Sequence, residues 1–193
     1  MILLSALILG LLAGWGWAHW QERAYRAPNL RLLILVPAAF LPQLVVAFLP
    51  ATRGLLPSWL ESGALPGSLF VFLAFVWVNR RLPGMPVLIA GLVLNLLVIT
   101  LNGGWMPISP ETASHLASRT SVEMASPGSR FGQKDVLLLP GETRLALLAD
   151  RFLLPDWIHY QVAFSLGDIL VAVGVFWLLA SGGSPTGPLR GEP

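Results

Sequence analysis

Apolar residues gather into five runs along this chain, and polar residues are confined to the gaps between them. The runs are Ile2–Ala18, Leu30–Leu49, Ser68–Val78 with an upstream extension, Pro86–Leu101 and Val162–Ala180. Runs of about 17–21 residues suffice for a helix to cross the hydrocarbon core of a bilayer. The third reaches that length only if Trp59–Leu65 continues the same helix, which then contains the kink-prone pair Pro66-Gly67. The pattern predicts an all-α polytopic membrane bundle of about five transmembrane helices.

The gaps give that bundle a direction. The first connection, His19–Asn29, carries Arg23 and Arg26 against Glu22, with Arg31 at the edge of the second run. The third carries Arg80 and Arg81 without an acid, whereas Arg53 in the second is balanced by Glu61. Short loops rich in arginine stay in the cytoplasm, so the N-terminus is expected outside and the C-terminus inside. Tryptophans fit the same ladder, with Trp17, Trp20, Trp77 and Trp177 near the inner boundary and Trp59, Trp105 and Trp157 near the outer one. Residues 1–102 then form a four-span bundle, 103–161 an external segment, 162–180 the fifth span, and 181–193 a Gly/Pro/Ser-rich tail expected to be disordered. Within the external segment, Ser109-Pro110-Glu111 reads as a helix start and Ser126–Gln133 as a flexible loop. Leu145, Leu148, Ala149 and Phe152 recur at helical spacing before Pro155 and predict a short interfacial helix.

Composition sharpens the membrane reading. Of 193 residues, 55% are hydrophobic and only 11% charged, against roughly 25% charged in soluble domains. A net charge of +2 spread over topology-setting loops gives no nucleic-acid footprint. Without cysteine the chain has no disulfides, thiol chemistry or thiolate-bound metal. His19, His115 and His159 stand far apart, so no metal or cofactor is expected. No basic residue precedes the first run and no Ala-x-Ala follows it, which predicts an uncleaved span rather than a signal peptide. Nucleotide-binding and hydrolase glycine motifs are absent. The expected location is the bacterial inner membrane, multi-pass, with the lipid bilayer as its first partner.

Depth arithmetic singles out a polar layer. Asp168 lies two turns inside the fifth run, roughly 9 Å down at ~1.5 Å per residue. There a carboxylate costs roughly 2.5–3.5 kcal/mol. Asn95 stands seven residues before Asn102, and Gln43 seven before Pro50, each roughly 10 Å from the outer end of its span. Ser165 shares a face with Asp168, and Asn102 with Asn95. Asp168, Asn95, Gln43, Asn102 and Ser165 therefore form the candidate polar site. Either these groups satisfy one another and glue the bundle, or they line a cavity open to the outside in which Asp168 binds a ligand. Pro37 and Pro42 favour a locally opened second helix. Gly10-Leu-Leu-Ala-Gly14 offers a close-packing face for another helix, here or in other membrane subunits.

Several strings carry a resemblance. Asn79-Arg-Arg-Leu-Pro-Gly84, Leu94-Asn95, Asn102-Gly-Gly-Trp-Met-Pro107 and Phe164-Ser-Leu-Gly-Asp168-Ile-Leu together resemble the domain of unknown function 5317 family of small bacterial membrane proteins. That resemblance implies a multi-span fold and brings no activity with it. A fainter similarity is to lipoprotein signal peptidase, an intramembrane aspartyl protease whose last span opens with Phe-Asn-x-Ala-Asp. Here Ser165 and Gly167 replace two of those positions, and Asp168 with Asp150 or Asp156 would supply the two catalytic carboxyls. The reading taken forward is a non-enzymatic binding or accessory component with an outward polar site. The alternatives are an aspartyl hydrolase using Asp168 and Asp150, and a small transporter, though the chain lacks the internal repeat common in transporters. Outside the hydrolase reading, Asp150 is expected to face the headgroups, paired with Arg151 or Arg144.

Overall fold

Where glycines recur at helical spacing, helix backbones can touch, and here they do. The computed structural model describes residues 2–48, 56–117, 126–132, 134–155, 157–158 and 161–183. Helix α1 (Ile2–Trp20) is followed by α2 (Leu35–Gln43), which runs into a π turn (Leu44–Phe48). Helices α3 (Ser58–Val78) and α4 (Met85–Leu101) complete the first part of the chain, and α6 (Leu166–Ala180) closes it. These five pack in the order α2–α3–α4–α6–α1. Two of them, α1 and α3, are long and apolar enough to cross a membrane; the other three apolar helices are shorter.

The α4–α6 contact is reciprocal. A side chain on Gly91 would meet the Gly167 carbonyl, and one on Gly167 the Gly91 carbonyl; Gly84 and Gly174 stand in the same relation seven residues away on each helix. Gly84 also needs its left-handed φ of 80° to start α4 after Pro83. On the other side of α6, Gly10 and Gly14 lie against the backbone at Phe176 and Leu179. The Gly10/Gly14 face is thus occupied by α6 of the same chain. Pro42 and the π turn fall together, as expected where a proline leaves a carbonyl without its donor. Helix α3 continues through Pro66, and the Ser62 carbonyl that Pro66 cannot satisfy lies against Gly104, whose φ of 90° allows that approach.

The two ends of the bundle differ. At one, Asn79 caps α3 and clamps the chain before α2, accepting from the Arg31 N–H at 2.8 Å and donating to its carbonyl at 2.9 Å. Tyr25 donates to Leu179 O at 3.0 Å at the same end. The loops carrying Arg23, Arg26, Arg31, Arg80 and Arg81 therefore gather there. At the other end sits a small cap. Its strand β1 (Met106–Ile108) pairs in parallel with β3 (Asp135–Leu137), which pairs antiparallel with β2 (Arg130–Phe131). Helix α5 (Pro110–Leu116) follows β1, N-capped by Ser109 with Thr112 N at 3.1 Å from its hydroxyl. A second hairpin, β4 (Phe152–Leu153) with β5 (Ala163–Phe164), delivers the chain into α6.

The cap corrects several expectations. The chain is not all-α, because short apolar segments next to Gly and Pro pair as strands. The loop expected at Ser126–Gln133 contains β2; Gln133 lies outside the described residues, as do Arg53, Asp156, His159 and 184–193. The interfacial helix over Leu145–Phe152 is a 3-10 turn at Ala146–Leu148, since Leu145 is left-handed at φ 54° and Phe152 is taken into β4. The fifth helix starts at Leu166, not Val162, because Ala163 and Phe164 pair with β4. At the tail, Ser181–Gly183 forms one 3-10 turn.

If the glycine contacts set the helix spacing, Gly91→Ala should lower thermal stability in detergent by about 1–3 kcal/mol through overpacking. Gly16→Ala, where a side chain meets open space, should be neutral or stabilise by up to about 1 kcal/mol through helix propensity. Equal effects at both positions would refute the account.

Candidate functional site

Asp168 sits in the first turn of α6, not two turns inside a span, so its presence has a local cause. Ser165 is the N-cap: its hydroxyl accepts from Asp168 N at 3.1 Å, and Asp168 Oδ2 accepts from Ser165 N at 3.3 Å. This capping box satisfies two free donors and places an anion at the positive end of the helix. Across the glycine contact, Asn95 of α4 donates from Nδ2 to Asp168 Oδ1 at 2.8 Å. The Ser165 hydroxyl donates to Asn95 Oδ1 at 3.0 Å. The three residues thus close a ring in which donors meet acceptors, its Ser165–Asp168 side made through the backbone N–H groups, and Gly167 has no Cβ to displace the Asn95 carboxamide.

Beyond the ring stands a group that the sequence pattern did not bring forward. Lys134 reaches Asp150 Oδ2 at 2.6 Å, Asp135 Oδ1 at 3.7 Å and Asp168 Oδ2 at 3.8 Å. Three carboxylates from β3, the segment after the 3-10 turn, and α6 converge on one ammonium. Lysine suits this position because its three donors radiate from one atom, whereas a guanidinium is a planar fork. A signal was present: Lys134 is the chain's single lysine, every other basic side chain being arginine. Asp150 is only 1% exposed, Lys134 42% and Asp168 31%. Burial opposes the Lys134 charge, but the three carboxylates outweigh it and raise its pKa. Burial, with Asp135 and Asp168 adding to it, lifts Asp150 to about 7 against the pull of Lys134.

Asp150 therefore pairs with Lys134, not with Arg151 or Arg144, and is buried instead of facing headgroups. Arg151 lies 6.0 Å from the Phe152 ring. Asp150 and Asp168 flank one ammonium, so their carboxylates are no further apart than its two contacts permit. Asp150 also lines a cap cavity of about 400 Å³ shared with Ser109, Thr112, His115, Thr143 and Arg151. The structure brings together Asp168, Asn95, Ser165 and Asp150. It leaves out Gln43, on α2 beyond α3 and α4. It also leaves out Asn102, which caps α4 and clamps Arg144, accepting from its N–H at 3.0 Å and donating to its carbonyl at 2.9 Å. Among the described residues no group of three or more His, Cys, Asp or Glu is disposed to hold a metal ion.

Residues 28–180 match a family described as "Family of unknown function (DUF5317)", and the chain belongs to it. An uncharacterized protein of Thermotoga maritima is 32% identical over 130 residues, covering 66% of this chain and 68% of that protein. No solved structure matches the chain.

The ring makes a test. Asn95→Leu leaves Asp168 Oδ1 without its donor and the Ser165 hydroxyl without its acceptor, and should cost about 1–3 kcal/mol of thermal stability in detergent. Asp168→Asn should cost less, since an amide still accepts from Asn95 and one excess negative charge is gone. The double mutant should show a clear non-additive term; strict additivity would mean that the two side chains do not act together.

Proposed function

We propose that this member of the family is a multi-pass protein of the bacterial cytoplasmic membrane, with five spans, its cap outside and its arginine end in the cytoplasm, serving as a non-enzymatic binding component. The helix surfaces support the membrane assignment. Helix α1 buries only Ala6, Gly10, Gly14 and Ala18, while Leu4, Ile8, Leu9, Leu12 and Trp15 are exposed. A helix apolar on every side with its large side chains outward suits lipid better than water. Arginine clustered opposite the cap favours the orientation.

The binding reading rests on the cap cavity of about 400 Å³, large enough for a small metabolite. Its polar lining includes Thr112, His115 and Arg151, and Asp150 connects it to the lysine cluster. A second reading, hydrolysis by Asp150 and Asp168, draws on their shared contact with Lys134. It requires a water between the two carboxyls, where Lys134 Nζ now stands; the binding reading requires no such rearrangement.

Two measurements test this. A cysteine at Gly128 should react with an impermeant maleimide in intact cells and one at Pro83 should not; the opposite pattern overturns the orientation. Protein purified from its native membranes should release a small molecule detectable by mass spectrometry, and Ala146→Trp, which fills the cavity from an exposed position, should abolish that retention. Retention unchanged by the substitution would remove the cavity from the proposal.

A further inference from the structure

Strand β1 holds two acids close together. Asp135 stands in register with Met106 on one side of it, and Asp150 is bridged to Ile108 on the other. Both carboxyls contact the Lys134 ammonium, Asp150 at 2.6 Å and Asp135 at 3.7 Å. Oδ1 of each is buried and has no hydrogen-bond partner among the described residues. Ionised carboxylates only accept, so a hydrogen bond between these two requires one proton. Asp150 is only 1% exposed, so bulk solvent is a poor substitute for that donor. We propose that Asp135 and Asp150 share a single proton at neutral pH, and that this proton keeps the cap seated on α6, so that the cap loosens as pH rises.

The surroundings decide where the strain falls. Lys134 is the cation facing the pair, and α6 contributes Asp168. Helix α4 presents only neutral Asn95, and the α6 N-cap only the Ser165 hydroxyl. Arg151, 6.0 Å from the Phe152 ring, and Glu111 and His115 of α5 line the same cavity as Asp150. Three ionised carboxylates against one ammonium leave two uncompensated negative charges; the shared proton reduces that to one. When the proton leaves, the added charge repels Asp168, the cluster's one acid from the helix bundle, because Lys134 is bound most closely to Asp150. The pKa directions agree: burial raises Asp135 and lifts Asp150 to about 7. A folded pKa above the ordinary carboxyl value means a stabilising contribution complete at acid pH, below that ordinary value. It is lost as pH climbs through about 7.

Infrared spectroscopy and spin-label distances on the full chain in nanodiscs test both halves. The wild type should show a protonated-carboxyl stretch that is present at neutral pH, deepens at mildly acid pH and bleaches as pH climbs through about 7. Asp150→Asn and Asp135→Asn should each lose that band, and Glu111→Gln should keep it. Labels at Gly128 in the cap and Gly63 on α3 should report a distance that broadens as the band bleaches in the wild type and stays fixed in Asp150→Asn, whose amide N–H donates at any of these pH values. Should Asp150→Asn fail to fold, the wild type and Asp135→Asn still decide. A folded wild type without the band, or a band that survives both asparagine variants, overturns the shared proton. A band that titrates while the distance stays constant overturns the latch.

Discussion

Backbone-to-backbone approach of α4 and α6 is the constraint on which the remaining structure depends. Gly84 and Gly91 on one helix meet Gly174 and Gly167 on the other, so two antiparallel helices lie closer than any side chain would permit. Such proximity multiplies dispersion contacts and allows weak Cα–H···O bonds. It also sets reach. The Asn95 side chain is short, and it meets Asp168 only because Gly167 leaves the space between them open. The other face of α6 uses the same device against Gly10 and Gly14 of α1. The last helix in the sequence is therefore central in the packing, touched on both sides through glycine.

That geometry turns an expensive residue into a useful one. A carboxylate two turns deep in lipid would have needed a compensating function. In the first turn of α6, Asp168 accepts from its own cap backbone and from Asn95, where the helix dipole favours a negative charge. Its remaining influence runs outward to Lys134. Excess negative charge in the cluster is tolerable because Asp168 and Lys134 keep contact with solvent while Asp150 does not. The energetically exposed member is thus Asp150, the one acid in the cluster with almost no access to water.

Legibility in the sequence followed the strength of periodic signals. The bounds of α1 and α4, and the continuation of α3 upstream through Trp59–Leu65, were readable because long apolar runs admit few alternatives. The Ser109 cap of α5 was readable from its Ser-Pro-Glu start. The cap strands were not, since two- and three-residue pairings carry no period and Ala163-Phe164 merges into the apolar run that follows. That merger misplaced the start of α6 by four residues and with it the depth of Asp168. Gln43 was grouped with Asp168 by depth alone, and depth says nothing about which helices are neighbours. Lys134 and Asp135 lay beside a stretch expected to be a flexible loop, and only the rarity of lysine distinguished them.

Asparagine does comparable work at three places, and the comparison separates structure from site. Asn79 and Asn102 each end a helix and grip the backbone N–H and carbonyl of one distant arginine, Arg31 or Arg144. Each clamp fastens a segment outside the bundle to a helix end, and because its partners are backbone atoms the side chain at the gripped position is free to vary. Asn95 differs. Both of its partners are side chains, and one of them belongs to the charged cluster. Replacing Arg31 or Arg144 would leave its clamp intact, whereas replacing Asp168 or Ser165 removes a partner of Asn95 outright. The ring is for that reason specific to these side chains, and it is the direct link through which a change of charge in the cap can reach the packed interface between α4 and α6.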